Sequence, residues 1–180
     1  MQNPTDRLDR PIVLVGLMGV GKSTVGRRLA KRLGLDFIDT DTAIEDANGG
    51  TSAAEVFERH GERAYRDGER RVVARLINGQ VRVIATGGGA FVDPDTRRLL
   101  TERAITVWLD APVELLAERT GRRDTRPLLR DGNRAEVLGR LARERAPAYA
   151  EAHIHVTSST ASHGEVVNRI VEALSEWLDK

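Results

Sequence analysis

Short continuous apolar runs alternate along this chain with longer stretches in which apolar residues recur every three or four positions. Ile12-Val13-Leu14-Val15 is the first run. Bounded by Pro11 and Gly16, it reads as a buried parallel strand. Val25, Leu29 and Leu33 then recur at helical spacing among basic residues, and Gly34 marks the stop. Further strands are predicted at Leu35–Ile38, Val81–Ala85, Ile105–Leu109 and His153–Val156. Between them lie helical patterns. One covers Ala43–Ala47 and stops at Asn48-Gly49-Gly50. Ser52 and Glu55 form a capping box for a helix carrying Val56 and Phe57, and a longer pattern runs from about Glu62 to Ile77, ended by Asn78-Gly79. Asp93-Pro94 reads as an N-cap followed by proline at the first helical position. Asp110-Ala111-Pro112 opens a helix with Val113, Leu115 and Leu116. A helix over Asn133–Arg145 precedes Pro147, and an amphipathic helix over Glu165–Leu178 closes the chain.

Strand–helix alternation throughout predicts an α/β fold: a parallel sheet with helices on both faces and right-handed crossovers. The 180 residues suit one domain. The polar stretch Met1–Arg10 is expected to be a short flexible tail before a single domain over 11–180. In such sheets ligands bind at the C-terminal ends of the strands. Three features fall there: a glycine loop after strand one, Asp39 and Asp41 after strand two, and Gly87-Gly88-Gly89 after strand three.

Composition narrows the function classes. No cysteine is present, which excludes thiolate catalysis, Cys-ligated zinc and disulfides, and suits a reducing cytoplasm. No apolar run approaches about 20 residues, so no membrane-spanning helix is expected. The formal charge of +1 argues against a broad nucleic-acid footprint. Basic residues are overwhelmingly Arg, with Lys only at 22, 31 and 180. A lone Arg is therefore weak evidence of function, whereas Lys22 inside a glycine loop is informative.

Gly16-Leu17-Met18-Gly19-Val20-Gly21-Lys22-Ser23 fits G-x-x-x-x-G-K-[ST] at every fixed position, between a strand and a helix. Its backbone N–H groups can curl around phosphate oxygens, aided by the helix N-terminus. Lys22 can reach the β- and γ-phosphates, and the Ser23 hydroxyl can ligate Mg²⁺. Asp39 and Asp41 could divide the labour beside a Mg·nucleotide, one holding metal-bound water and the other orienting and deprotonating an acceptor hydroxyl. An Asp-Thr-Asp run can also be a turn with a helix N-cap, which suits Asp41 before Thr42-Ala43, but the pair beside the phosphate loop favours function. The glycine triplet permits close approach to a ligand or forms a tight turn. Arg126, beside Pro127, could swing over the phosphates or remain a solvated loop charge. By spacing alone Arg66 and Arg145 are ambiguous. His153 and His155 lack a third ligand and read as structural, His60 and His163 carry no signal, and Trp108 and Trp177 read as core.

The motifs together resemble the shikimate kinase family over almost the whole chain, from Ile12 to about Leu178. The resemblance is carried by residues 16–24, Asp39-Thr40-Asp41, Phe57–Glu62 leading to Tyr65-Arg66, Thr86–Gly89, Thr125–Leu129 and Arg143–Tyr149. It implies a P-loop NTPase fold of the nucleoside monophosphate kinase type, a three-layer α/β/α sandwich with strand order 2-3-1-4-5. It also implies transfer of the ATP γ-phosphate to the 3-hydroxyl of shikimate, with Mg²⁺, in aromatic amino-acid biosynthesis. Lys22, Asp41 and Arg126 would be catalytic. Gly19, Val20, Gly21, Lys22, Ser23, Thr24, Arg119 and Arg126 would hold ATP. Asp41, Arg66, Gly87, Gly88, Gly89 and Arg145 would bind shikimate, whose carboxylate two arginine forks can clamp. Ser23 and Asp39 would support Mg²⁺, Asp39 through water. Residues of about 41–70 would form the acceptor region and about 120–131 a lid. A cytoplasmic monomer acting on these small molecules, with neither nucleic acid nor membrane as partner, is expected.

Two other readings remain open on the residues. A related small-molecule kinase, such as one acting on gluconate, would share the loop, although the Arg-Ala-Pro and triple-glycine motifs argue against it. A nucleotide-dependent module without catalysis would be expected to have lost one of Lys22, Ser23, Asp39, Asp41 or Arg126, and all five are present.

Overall fold

The computed structural model describes residues 4–121, 133–158 and 162–180. Its sheet has five parallel strands, β1 (Ile12–Val15), β2 (Phe37–Asp39), β3 (Val83–Ala85), β4 (Ile105–Asp110) and β5 (Ile154–Thr157), in the order β2-β3-β1-β4-β5. β1 is central and wholly buried, pairing with β3 through Ile12–Val83 and with β4 through Ile12–Ile105. The continuous apolar run is thus explained: both neighbours and both faces are covered. The helices are α1 (Lys22–Leu33), α2 (Thr40–Ala47), α3 (Ala53–Leu76), α4 (Pro94–Arg103), α5 (Val113–Gly121), α6 (Arg134–Tyr149) and α7 (His163–Leu178). α1 packs with α7, α5 with α6, and α2 with α3.

The main core gathers around β1, β3 and β4 and the inner faces of α1 and α7. A separate small cluster of Ile44, Ala53, Val56, Tyr65 and Val72 joins α2 to α3. Residues 4–7, in the expected N-terminal tail, form a short 3-10 turn, from which Arg7 pairs with Asp179 at 2.8 Å.

Several boundaries differ from the expectation for local reasons. β2 pairs with β3 over Phe37–Val83, Ile38–Ile84 and Asp39–Ala85, so Asp39 is the last strand residue. It also caps α2, accepting from the Asp41 amide, which starts that helix at Thr40. The two helices predicted on either side of residue 61 are both present within α3, separated at Gly61, whose backbone is non-helical (φ 78°, ψ 170°), a conformation that a side chain would resist. The helix expected to end at Arg145 continues to Tyr149 through Pro147. The proline forfeits one bond to the preceding turn. Tyr149, 1% exposed and hydrogen-bonded to the Gly88 carbonyl, holds the last turn in place. α7 begins at His163, earlier than its apolar pattern, because Ser162 and Glu165 form a reciprocal capping box.

Candidate active site

The glycine loop leaves β1, turns and enters α1 through Gly21, whose φ of 97° places it in the left-handed region. A β-carbon on Gly16 would stand 2.3 Å from the Leu109 carbonyl, so the loop lies tight against β4. Lys22 is buried, and its ammonium donates to the carbonyls of Gly16 (2.6 Å) and Leu17 (2.9 Å). The loop thereby holds the cation that it would present to phosphate. Ser23 donates to Asp39 Oδ2, while Asp39 Oδ1 accepts from the Asp41 amide at 2.9 Å. One carboxylate thus ties the start of α1 to the start of α2. Thr24 follows in the first turn of α1 and is exposed. Arg119, at the end of α5, donates to the Val20 carbonyl at 3.2 Å and lies 3.4 Å from that of Gly19.

The second half of the site surrounds Gly87-Gly88-Gly89. The Gly87 amide donates to Thr40 Oγ1 at 3.2 Å, joining this turn to α2. A β-carbon on Gly87 would stand 3.4 Å from Asp41 Oδ1 and from Glu69 Oε2; one on Gly88 would stand 3.4 Å from Arg145 Nη1. One on Gly89 would stand 2.1 Å from Arg66 Nη2, an overlap that no side chain could relieve without displacing the guanidinium. Of the three, only Gly89 leaves no room for a β-carbon while Arg66 stays in place. Arg66 donates to Glu69 Oε1 at 2.6 Å. Glu69 is 1% exposed, and burial pushes its pKa up, opposed chiefly by Arg66. Arg145 is 7% exposed. Arg145 Nη1 and Glu69 Oε2 are buried without a hydrogen-bond partner. Groups of this kind are costly unless something else satisfies them. A cavity of about 560 Å³ opens here, lined by Arg66, Gly89 and Arg145 together with Glu62, Arg63 and Asp93.

The expected residues fall into two neighbouring groups. Gly19 to Thr24 and Arg119 lie at the glycine loop; Arg66, Gly87–Gly89 and Arg145 gather around the cavity; Asp39 and Asp41 stand between. Arg126 and most of the expected lid, 122–131, lie outside the described residues. Three residues were missed. Glu69 stands three residues after Arg66 on one helix, a spacing at which opposite charges meet. Tyr149 stands four after Arg145. His163 offered no local signal, yet its Nε2 would lie 3.6 Å from a β-carbon on Gly21. Its pKa is held below the ordinary value by burial, Arg119 and Arg28. His153 takes a structural place, its Nδ1 accepting from the Thr106 amide at 3.0 Å.

Ser23 and Asp39 supply hard oxygen donors at the end of the glycine loop. Mg²⁺ suits such a site because it keeps several waters and takes its remaining ligands from phosphate. Among the described residues, no group of three or more His, Asp or Glu side chains gathers as an all-protein metal cage.

A buried lysine in a glycine loop between a central parallel strand and a helix, beside a polar cavity, is the arrangement of a P-loop kinase of small molecules. The family model for shikimate kinase matches residues 18–175. A shikimate kinase from Novosphingobium aromaticivorans is 52% identical over 96% of this chain and 91% of that protein. One from Paramagnetospirillum magneticum is 54% identical over 96% of this chain and 88% of that protein. The solved structure of shikimate kinase from Acinetobacter baumannii in complex with shikimate superposes with a TM-score of 0.88 at 37% identity, covering 94% of this chain and 95% of that one. The chain belongs to the shikimate kinase family.

Proposed function

We propose that this protein transfers the γ-phosphoryl group of ATP to the 3-hydroxyl of shikimate, giving shikimate 3-phosphate and ADP. The observation that carries the acceptor half is the buried Arg145, whose Nη1 has no hydrogen-bond partner, beside Arg66 and a cavity of about 560 Å³. Two planar forks at one cavity suit the bidentate capture of a carboxylate. The hydroxyls on the same ring suit Asp41 and the amides of the glycine turn.

The phosphates lie along the loop amides of residues 19–24, and Lys22 exchanges its bonds to the Gly16 and Leu17 carbonyls for phosphate oxygens. Ser23, and Asp39 through water, would hold Mg²⁺, which would supply positive charge beside the transferring phosphate. Asp41 orients the 3-hydroxyl and accepts its proton as the oxygen bonds to the γ-phosphorus and ADP leaves. Arg119 and His163 lie beside the loop. Arg126, from a lid over about 120–131, adds positive charge as the site closes. The reading takes residues 11–180 as one kinase domain, with its acceptor region at about 41–70, acting as a cytoplasmic monomer.

A coupled assay of ADP release tests the proposal. Release should require shikimate and Mg²⁺, and gluconate should not replace shikimate. ADP release without stimulation by shikimate would overturn it.

A further inference from the structure

One buried contact joins the acceptor turn to a residue with no assigned role. Tyr149, in the last turn of α6, is 1% exposed, and its hydroxyl donates to the Gly88 carbonyl. Arg145 lies one helical turn earlier, and its guanidinium also faces that hydroxyl, opposing the upward push that burial gives the Tyr149 pKa. The ring is held on its other side by Trp108 of β4, with centroids 5.7 Å apart. Trp108 is itself stacked on His155 of β5 at 4.0 Å. The hydroxyl is therefore fixed by the sheet and aimed at one carbonyl.

That carbonyl belongs to the Gly88–Gly89 peptide, where neighbouring side chains impose no preference on backbone rotation. The described chain contains no cis peptide. In a trans peptide the C=O and N–H point in opposite directions. Turning the Gly88 carbonyl onto Tyr149 turns the Gly89 N–H away from α6. Gly89 lines the cavity and lies under the Arg66 guanidinium.

We propose that Tyr149 is a positioning residue for the acceptor. By holding the Gly88 carbonyl, it keeps the Gly89 N–H turned into the cavity as a donor to the bound acid, and it keeps Arg145 aimed at the same ligand. The proposal rests on shikimate being the acceptor. It makes the pocket a joint product of α6 and the glycine turn, with one hydroxyl setting the geometry of both.

Tyr149→Phe keeps the ring and deletes only the hydroxyl. The parent protein is assayed first, because failure to phosphorylate shikimate would defeat the functional reading and this proposal with it. Given an active parent, the KM for shikimate should rise about tenfold in the variant, the scale of one buried hydrogen bond, with the KM for ATP unchanged. In ¹⁵N-labelled protein the Gly89 amide resonance should shift on adding shikimate, and Tyr149→Phe should shrink that shift. Unchanged shikimate KM and an unchanged Gly89 response would overturn the proposal. A lower melting temperature with both KM values raised together would also overturn it, since that is the signature of a purely structural tyrosine.

Discussion

The glycine loop and the acceptor cavity stand side by side, yet they are built in opposite ways. The loop is contiguous, 16–24, and its cation is bonded by its own backbone: Lys22 holds the carbonyls of Gly16 and Leu17. The acceptor half is assembled from β3's turn, α2, α3 and α6, and it retains buried polar atoms without partners, Arg145 Nη1 and Glu69 Oε2. The loop can wait for its ligand at little cost because its charge is already solvated by the protein. The cavity is held in an electrostatically unfinished state by the surrounding packing. A ligand at the loop therefore exchanges bonds, while a ligand in the cavity completes them.

The largest test of this contrast is Lys22→Ala. Phosphoryl transfer depends on positioning and electrostatics, so kcat should fall about a thousandfold. Calorimetric binding of shikimate should persist, because the acceptor half owes nothing to that side chain. Loss of both would make the two halves one cooperative unit. Arg145→Ala tests the other side. Deleting one partner of a buried charged contact should raise the KM for shikimate about a hundredfold and leave that for ATP unchanged. An unchanged shikimate KM would remove the carboxylate clamp.

The smallest effect concerns His163, beside the loop. Its pKa is depressed by burial, Arg119 and Arg28. The unfolded chain takes up this proton near its ordinary pKa of about 6.5, and the folded chain resists it. Stability should therefore fall as the pH drops through that range. His153, also depressed by burial, contributes in the same direction as background. ATP phosphates favour a charged imidazole, so ATP should blunt the loss on the donor side, and His163→Ala should abolish that blunting. Melting temperatures at neutral and mildly acidic pH, with ATP or with shikimate, measure it. Equal protection by the two ligands would erase the distinction between the halves.

The same contrast decides what could be read early. The glycine loop was legible residue by residue, because its chemistry is local: fixed glycines, one lysine and one serine between a strand and a helix. A turn with an N-cap was legible in the Asp-Thr-Asp run, with Asp41 as the expected cap; the structure gives that place to Asp39, with one oxygen accepting from Ser23 and the other capping α2. Asp41 and the glycine triplet were legible as candidates by their place after the strands, but the two arginines only through the family's motifs. Spacing alone left Arg66 and Arg145 indistinguishable from surface arginines, since nothing near either in the chain records that it is buried. Glu69 and Tyr149 escaped for the same reason. His163 lies some 140 positions after the loop that it touches.

The sequence by itself determined the alternation of strands and helices, the burial of an all-apolar first strand, and the phosphate loop that follows it. These follow from periodicity, burial on both faces and turn chemistry, which act over a few residues. The tertiary structure decided the cavity beside that loop. Parallel pairing in the order β2-β3-β1-β4-β5 brings the ends of β1, β2 and β3 together, and the packing of α3 and α6 drives two guanidiniums onto one glycine turn. Desolvation gives those charges their meaning, and desolvation belongs to the packed molecule rather than to any stretch of chain.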